Sequence, residues 1–215
     1  MASVAGRVGN HNWKQIEELS NQSVIRLRRE CYDRVRGDLG DLDSEERVVD
    51  KDPFNFIRLA LVRRIFSDAK VIFLYRDPRD SVLSCFMQWF QPSETTTHFH
   101  DVESAARLYS KAISVWWDLK PVFDLAILTI GCEDLVVDFE TNCRSVFGIL
   151  KADWEDNVLR FAKTVKGEYV VTPSRRDVAE NVFGRSVGRW RSYEQHMGPV
   201  IDILSPWVTA LEYSE

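Results

Sequence analysis

One apolar run and the turn that follows it constrain the fold of this chain more than any other part of its sequence. Residues 70–75 read KVIFLY, which is typical of a parallel strand that is covered on both faces. The charged run Arg76-Asp77-Pro78-Arg79-Asp80 follows at once. Asp77 is a good helix N-cap and Pro78 suits the first helical position, so we expect a helix that continues to Phe90. The sequence therefore predicts a buried strand, a turn and a helix in succession.

The rest of the chain repeats this alternation of strands and helices. Strand-like runs lie at residues 47–50 and 125–130, and the second is followed by an acidic turn at Glu133-Asp134. Gly198-Pro199 is a stop signal between the last two helices. Helical spacing of apolar residues is present at 13–36, 55–65, 104–119, 142–150, 154–163, 187–196 and 200–211. This order predicts a single α/β domain over residues 1–215, with a parallel sheet flanked by helices.

Composition narrows the classes of protein to which this chain can belong. Lys and Arg number 28 against 33 for Asp and Glu, a net charge of −5 that argues against a nucleic-acid or anionic-membrane partner. No stretch approaches the roughly 18 apolar residues that a membrane-spanning helix needs. His98 and His100 have no third ligand nearby, so we predict no metal site. The four cysteines are widely spaced, as in reduced cytoplasmic proteins; they are Cys31, Cys85, Cys132 and Cys143.

The end of the apolar run at residues 70–75 is the candidate binding site. Open α/β sheets bind ligands at the carboxyl ends of their strands, where Arg76 stands, and the next helix points its free N–H groups at the same crevice. Ser84 and Gln88 have spacings that share one helix face. Arg76 and Ser84 are therefore expected to converge on one anion. In the alternative interpretation, Arg76 pairs with Asp77 or Asp80 and Ser84 fills a small core position.

Three blocks of this sequence resemble one enzyme family. YRDPRDSVLSCFMQWF, at residues 75–90, resembles the second nucleotide motif of sulfotransferases that use 3′-phosphoadenosine-5′-phosphosulfate, or PAPS. Residues 49–55, VDKDPFN, resemble the [DN]-K-x-P-x-N block of the tyrosylprotein and bacterial tetratricopeptide-linked types. Residues 171–174, VTPS, and residues 185–193, RSVGRWRSY, resemble their terminal segment. The resemblance extends over roughly residues 47–207.

This resemblance implies a fold, a co-substrate and roles for named residues. It implies a three-layer sheet like that of P-loop NTPases, PAPS as the sulfuryl donor, no metal, and a hydroxyl or amine as acceptor. Arg76 and Ser84 match the pair that holds the 3′-phosphate, and Gln88 lies on the same predicted helix face. Arg185 would reach the 3′-phosphate from a closing loop, with Ser174 contributing. In the alternative, Arg185, Arg189 and Arg191 form a solvated face and Trp190 belongs to the core.

The resemblance also implies a catalytic lysine, and it exposes two departures from the family pattern. Lys51 matches the family's catalytic lysine; the alternative is a surface lysine paired with Asp50 or Asp52. The family's first strand and its P-R-S-G-T-T-like phosphate loop have no counterpart here, and Glu17 and Glu18 match its acidic base by position only. Cys132 stands where the family usually has tyrosine. The expected function is PAPS-dependent sulfuryl transfer by a fragment or a naturally shortened domain, whose open sheet edge favours self-association.

Two other functions remain open from the sequence. The first is a catalytically inactive relative that binds a nucleotide or a protein partner and transfers nothing. The second is another nucleotide-dependent transferase on a similar sheet. The lack of a G-x-x-x-x-G-K-[ST] loop counts against an ordinary kinase or NTPase.

Overall fold

The fold was analysed in a computed structural model, which describes residues 13–41, 43, 47–160 and 187–214. The chain divides into two compact units, and each is described by itself. The first unit takes in Met1–Lys70 and Val115–Ala126, and the second takes in Val71–Ser114 and Ile127–Glu215, in each case as far as these residues are described.

The first unit is built from helices. Helix α1 (Trp13–Glu17) is followed by α2 (Asn21–Leu39), and a 3₁₀ turn (Asn55–Arg58) leads into α3 (Leu59–Ile65). Leu27 and Cys31 of α2 pack against Ile65 of α3 in a small apolar cluster. The guanidinium of Arg28 donates to the carbonyl of Ile65 at 2.8 Å from Nε, which satisfies one of the carbonyls left open at the end of α3.

The second unit contains a sheet with helices packed on it. Strand β1 (Lys70–Tyr75) leads into α4 (Pro78–Met87), and a 3₁₀ turn (Thr96–His100) leads into α5 (Val102–Leu119). Strand β2 (Ala126–Gly131) is parallel to β1 and pairs with it. After β2 come α6 (Cys132–Val137), α7 (Phe139–Leu150) and a 3₁₀ turn (Asp156–Arg160). A 3₁₀ turn (Arg189–Tyr193) and α8 (Glu194–Ala210) end the described chain.

The core of the second unit joins α4 to the terminal segment. Val82 and Leu83 of α4 pack with Met197, Val200 and Leu204 of α8. Ala105 and Ala106 of α5 and Trp190 complete this cluster. Because Trp190 is buried, its predicted place in the core is confirmed. The core therefore holds Trp190 and α8 against α4.

The mixed α/β class and the β1–α4 unit are confirmed, and several local predictions need correction. Residues 47–50 do not form a strand, since no described segment pairs with them and strand propensity acts only with a partner. The predicted helix at 13–36 is interrupted where Ser20 caps α2 by accepting the N–H of Ser23 at 3.2 Å. Helix α4 ends at Met87, three residues before Phe90. Helix 154–163 is described only as the 3₁₀ turn Asp156–Arg160.

Three further corrections concern turns and the exposure of a strand. Glu133 and Asp134 begin helix α6 instead of forming a turn, because acidic side chains are favourable in a first helical turn. Gly198-Pro199 does not end a helix, and α8 runs through Pro199. Strand β1 is covered on one face only, with alternate residues exposed. Among the described residues, no helix is both long and apolar enough to cross a membrane.

Candidate functional site

The candidate site begins where β1 ends and α4 starts. The carboxylate of Asp77 accepts the N–H of Arg79 at 2.9 Å, and Pro78 occupies the first turn, so both predicted roles are confirmed. Asp80 adds a second carboxylate to this turn. The first N–H groups of α4 thus lie at the carboxyl end of a parallel strand, which is where the sequence predicts an anion site.

Arg79 has a structural role beside this site. Its guanidinium donates to both carboxylate oxygens of Asp77, at 3.0 Å from Nε and 2.8 Å from Nη2, and both side chains are buried. It also lies 3.9 Å from the centre of the Trp190 ring and donates to the carbonyl of Ser214 at 2.7 Å. These contacts satisfy the hydrogen-bonding groups of a buried guanidinium, so Arg79 connects Trp190 and Ser214 to the start of α4.

Arg76 forms an ion pair with Asp80, one of the two partners in the alternative interpretation. Its Nη2 lies 3.4 Å from Oδ2 of Asp80, and the two side chains are 22% and 0% exposed. The same carboxylate accepts the backbone N–H of Gly188 at 2.6 Å and that of Trp190 at 2.8 Å. A guanidinium has five N–H donors, so one contact with Asp80 is compatible with binding an anion as well.

Two cysteines define the surroundings of the Arg76 guanidinium. Burial raises the pKa of the Cys85 thiol, and the positive charge of Arg76 opposes this shift. Burial and the Glu133 carboxylate raise the pKa of Cys132 to about 11, again opposed by Arg76. The positive charge of Arg76 therefore influences the pKa of Cys85, which lies next to Ser84 in α4, and the pKa of Cys132 at the start of α6.

Ser84 and Gln88 differ in how well they match their predicted places. Ser84 is in α4 and is exposed, so the alternative in which it fills a core position is wrong. Gln88 lies beyond the last helical residue, Met87, and its backbone N–H contacts the Cys85 carbonyl at 3.4 Å. Gln88 is therefore the C-cap of α4 and not a residue within it, because α4 is shorter than its apolar pattern indicates. Their roles toward the cofactor stay predictions.

Glu133 is a member of this site that the sequence analysis did not single out. Its Oε1 accepts the backbone N–H of Asp77 at 3.2 Å, and its Oε2 accepts the hydroxyl of Tyr213 at 2.5 Å. Burial and this hydrogen bond raise the pKa of Tyr213. Glu133 stands two residues after β2, as Asp77 stands two residues after β1. That matching position at the ends of two parallel strands was the signal in the sequence.

Lys51 lies in the first unit and is exposed. The two carboxylates beside it are engaged elsewhere. Asp52 accepts the N–H of Phe54 at 2.8 Å, and Asp50 accepts the side-chain amide of Asn55 at 3.1 Å. In the described ranges, Lys51 forms no ion pair with either carboxylate, so the alternative of a paired surface lysine is not observed.

The remaining predicted residues lie between the described ranges 47–160 and 187–214 or just after residue 187. Ser174 and Arg185 lie outside the described residues. Arg189 and Arg191 are exposed, as expected of a solvated face, and the guanidinium of Arg191 lies 5.0 Å from the Trp190 ring. Across the described ranges, no group of three or more His, Cys, Asp or Glu side chains is placed to hold a metal ion.

Comparison with known proteins identifies the family. A model described as the sulfotransferase family matches residues 8–156. The chain belongs to the sulfotransferase family. This sulfotransferase-family chain is 32% identical over 176 residues to an uncharacterized protein of Aquifex aeolicus, a match that covers 81% of the chain. It is 25% identical over 128 residues, or 59% of the chain, to protein-tyrosine sulfotransferase A of Caenorhabditis elegans. The matches cover 23% and 33% of these two relatives.

Proposed function

We propose that this sulfotransferase-family chain uses PAPS as donor and transfers its sulfuryl group to a hydroxyl or amine acceptor. Arg76 and Ser84 are proposed to hold the 3′-phosphate, with Gln88, Ser174 and Arg185 as further nucleotide contacts. The observation that carries this proposal is the placement of Arg76. It follows directly on β1, its ion pair with Asp80 fixes it beside the first turn of α4, and its charge acts on the residue next to Ser84.

The chemistry of sulfuryl transfer explains what these residues would do. An acceptor oxygen or nitrogen attacks the sulfur, the bond from sulfur to the bridging phosphate oxygen breaks, and the acceptor proton leaves to a base. The protein contributes in-line positioning and positive charge where the leaving phosphate becomes more negative. Lys51 is the proposed source of that charge, and its exposed ammonium, unpaired with Asp50 or Asp52 in the described ranges, is consistent with this role. Glu17 and Glu18 remain candidates for the base by position only.

Calorimetric titration with adenosine 3′,5′-bisphosphate tests the donor site, with AMP as the ligand that lacks the 3′-phosphate. We expect the bisphosphate to bind more tightly than AMP and Arg76→Ala to weaken it at least tenfold, since a hydrogen bond to a charged group contributes about 1.5–3 kcal/mol. Arg107→Ala is the matched control, because Arg107 also forms an i,i+4 ion pair, with Glu103. Equal affinity for the two nucleotides in the wild-type chain would overturn the proposed site.

Transfer of labelled sulfate separates an enzyme from a binding module. We expect label from PAPS to reach one member of a panel of hydroxyl and amine acceptors, and Lys51→Ala to lower that rate at least a hundredfold. Lys111→Ala, which removes another exposed lysine, should leave the rate unchanged. Tight bisphosphate binding without any transfer would favour a nucleotide-binding relative over an enzyme.

A further inference from the structure

We propose that Asp80 is the positioning residue of the 3′-phosphate site, and that it holds Arg76 and the turn at residues 188–190 in fixed positions relative to each other. This inference rests on the proposed function. The Asp80 side chain is 0% exposed, and its carboxylate contacts three donors from two distant parts of the sequence. Oδ1 accepts the N–H of Trp190, and Oδ2 lies within reach of both the N–H of Gly188 and the Arg76 guanidinium.

A carboxylate in such a place is stable only if its partners are fixed. Burial of a charge without partners is costly, and each hydrogen bond to the ionised form offsets part of that cost. The two backbone donors lie 108 and 110 residues from Asp80 along the chain. Asp80 therefore resembles a helix cap, except that the turn which it caps comes from the far end of the sequence.

The capped turn has a backbone conformation that its sequence favours. Gly188 has φ of 68° and ψ of 17°, a left-handed conformation that favours glycine, and it begins the 3₁₀ turn Arg189–Tyr193. Trp190, fixed by the same carboxylate, is buried under the Arg79 guanidinium at 3.9 Å. One carboxylate thus joins Arg76 to a turn whose Trp190 is held in the core.

Such a link lowers the cost of binding a phosphate through Arg76. A long side chain that must be ordered on binding loses conformational entropy, and a group already held in place avoids that loss. The charge of Asp80 would repel a phosphate, but two N–H donors and Arg76 already neutralise much of it. We therefore expect the positioning effect to exceed the repulsion.

Asp80→Asn tests the positioning effect while changing the shape of the side chain little. An amide offers one acceptor oxygen and an NH₂ group, so at least one of the three donors faces another donor. We expect calorimetry to give at least tenfold weaker binding of adenosine 3′,5′-bisphosphate and less than threefold change for AMP. Asp138→Asn is the matched control, because Asp138 is also a carboxylate that accepts a backbone N–H, that of Thr141 at 3.1 Å.

The ratio of the two affinities distinguishes positioning from general stability. A purely structural role would lower the folded fraction, measured by circular dichroism, and leave the preference for the bisphosphate over AMP unchanged. If folded Asp80→Asn keeps the wild-type preference while Arg76→Ala loses it, the inference is wrong and the proposed function stands. If the wild-type chain has no preference, both are overturned.

A second variant decides the matter if Asp80→Asn does not fold. Gly188→Ala leaves Asp80 and Arg76 intact and strains the turn, because a residue with a Cβ is unfavourable in the left-handed conformation. The added Cβ would also lie 2.6 Å from Nη1 of Arg191, at the movable end of that side chain. We expect the ratio of the dissociation constant of AMP to that of the bisphosphate to fall about threefold or more. An unchanged preference in this variant would contradict the inference.

Discussion

Four charged residues within one five-residue stretch have four different environments. Arg76 is half-buried at the end of β1, Asp77 caps α4, Arg79 is buried against Trp190, and Asp80 holds a turn from the end of the chain. The sequence predicts the cap because a cap is a local interaction between neighbours. It does not predict the partners of Asp80, because those are more than a hundred residues away and no local pattern marks them.

Removal of Asp77 should destabilise the protein far more than removal of an ordinary helix cap. Asp77→Ala leaves the buried Arg79 guanidinium without its carboxylate, and loss of one partner of a buried pair costs about 3–5 kcal/mol. Asp138→Ala, which removes an exposed cap from α7, should cost about 1 kcal/mol. Urea unfolding of both variants measures the two losses. Equal losses would mean that the pair with Arg79 adds little to stability.

The Cys132 thiol should react slowly with iodoacetamide at neutral pH. Only the thiolate is nucleophilic, and burial raises the pKa of Cys132 to about 11, so about one thiol in a thousand is ionised at pH 8. We expect the rate to rise nearly tenfold per pH unit up to about pH 10. Site-resolved mass spectrometry measures it, with Cys132→Ser to identify the modified peptide. Rapid labelling at pH 7, with a rate that levels off near pH 8.5, would contradict the raised pKa of Cys132.

Helix α8 continues through Pro206, although proline normally breaks a helix. Pro206 has no N–H to donate to the carbonyl of Asp202, four residues earlier, and the hydroxyl of Ser205 donates to that carbonyl at 3.2 Å instead. The sequence predicts a stop at the earlier proline, Pro199. Packing of Met197, Val200 and Leu204 into the core outweighs that local preference, and a pattern read along the chain does not measure packing.

The Ser205 hydroxyl should therefore matter more than an ordinary hydroxyl on a helix. Ser205→Ala leaves the Asp202 carbonyl without this donor, while Ser114→Ala removes a similar bond to the Lys111 carbonyl in a helix without proline. We expect Ser205→Ala to be less stable than Ser114→Ala by about 0.5–1.5 kcal/mol, the usual net contribution of one hydrogen bond. Thermal unfolding compares the two. A difference near zero would show that water replaces the hydroxyl.

The elements with strong local sequence signals are predicted well, whereas those that depend on contacts with distant residues are not. Strand β1 has the predicted bounds, and α5 and α7 begin only a few residues earlier than predicted. The predicted strand at 47–50 is wrong, because a strand requires a neighbouring strand to pair with. At the candidate site, the sequence predicts the start of α4 and the position of Arg76 directly after β1. It missed Asp80 and Glu133 as anchors, because each contacts a segment that the fold brings back from the terminus.

On the scale of the whole molecule, the described sheet leaves apolar surface uncovered. The described strands form a two-stranded sheet, and Ile72 and Leu74 of β1 are 41% and 52% exposed. Two strands alone are marginally stable, and an exposed apolar strand favours pairing with another chain. Self-association through an open sheet edge stays a prediction, and the exposed Ile72 and Leu74 make β1 the segment in which to test it.

Size-exclusion chromatography with light scattering tests that prediction. We expect an apparent mass above 25.0 kDa that rises with concentration, and a return toward the monomer mass in Leu74→Lys. Val137→Lys is the control, because Val137 is 85% exposed and belongs to α6 and not to a strand. A wild-type chain that stays monomeric at every concentration would exclude association through β1.

Phosphorus NMR of adenosine 3′,5′-bisphosphate tests the central claim most directly, because the 3′- and 5′-phosphates give separate resonances. Beside Arg76 the dianion is favoured, so we predict that the chain shifts the 3′ resonance and lowers the second pKa of that phosphate below its usual value near 6. Arg76→Ala should abolish the 3′ response, and Arg107→Ala should retain it. A response of the 5′-phosphate alone, or a 3′ response that persists in Arg76→Ala, would contradict the account.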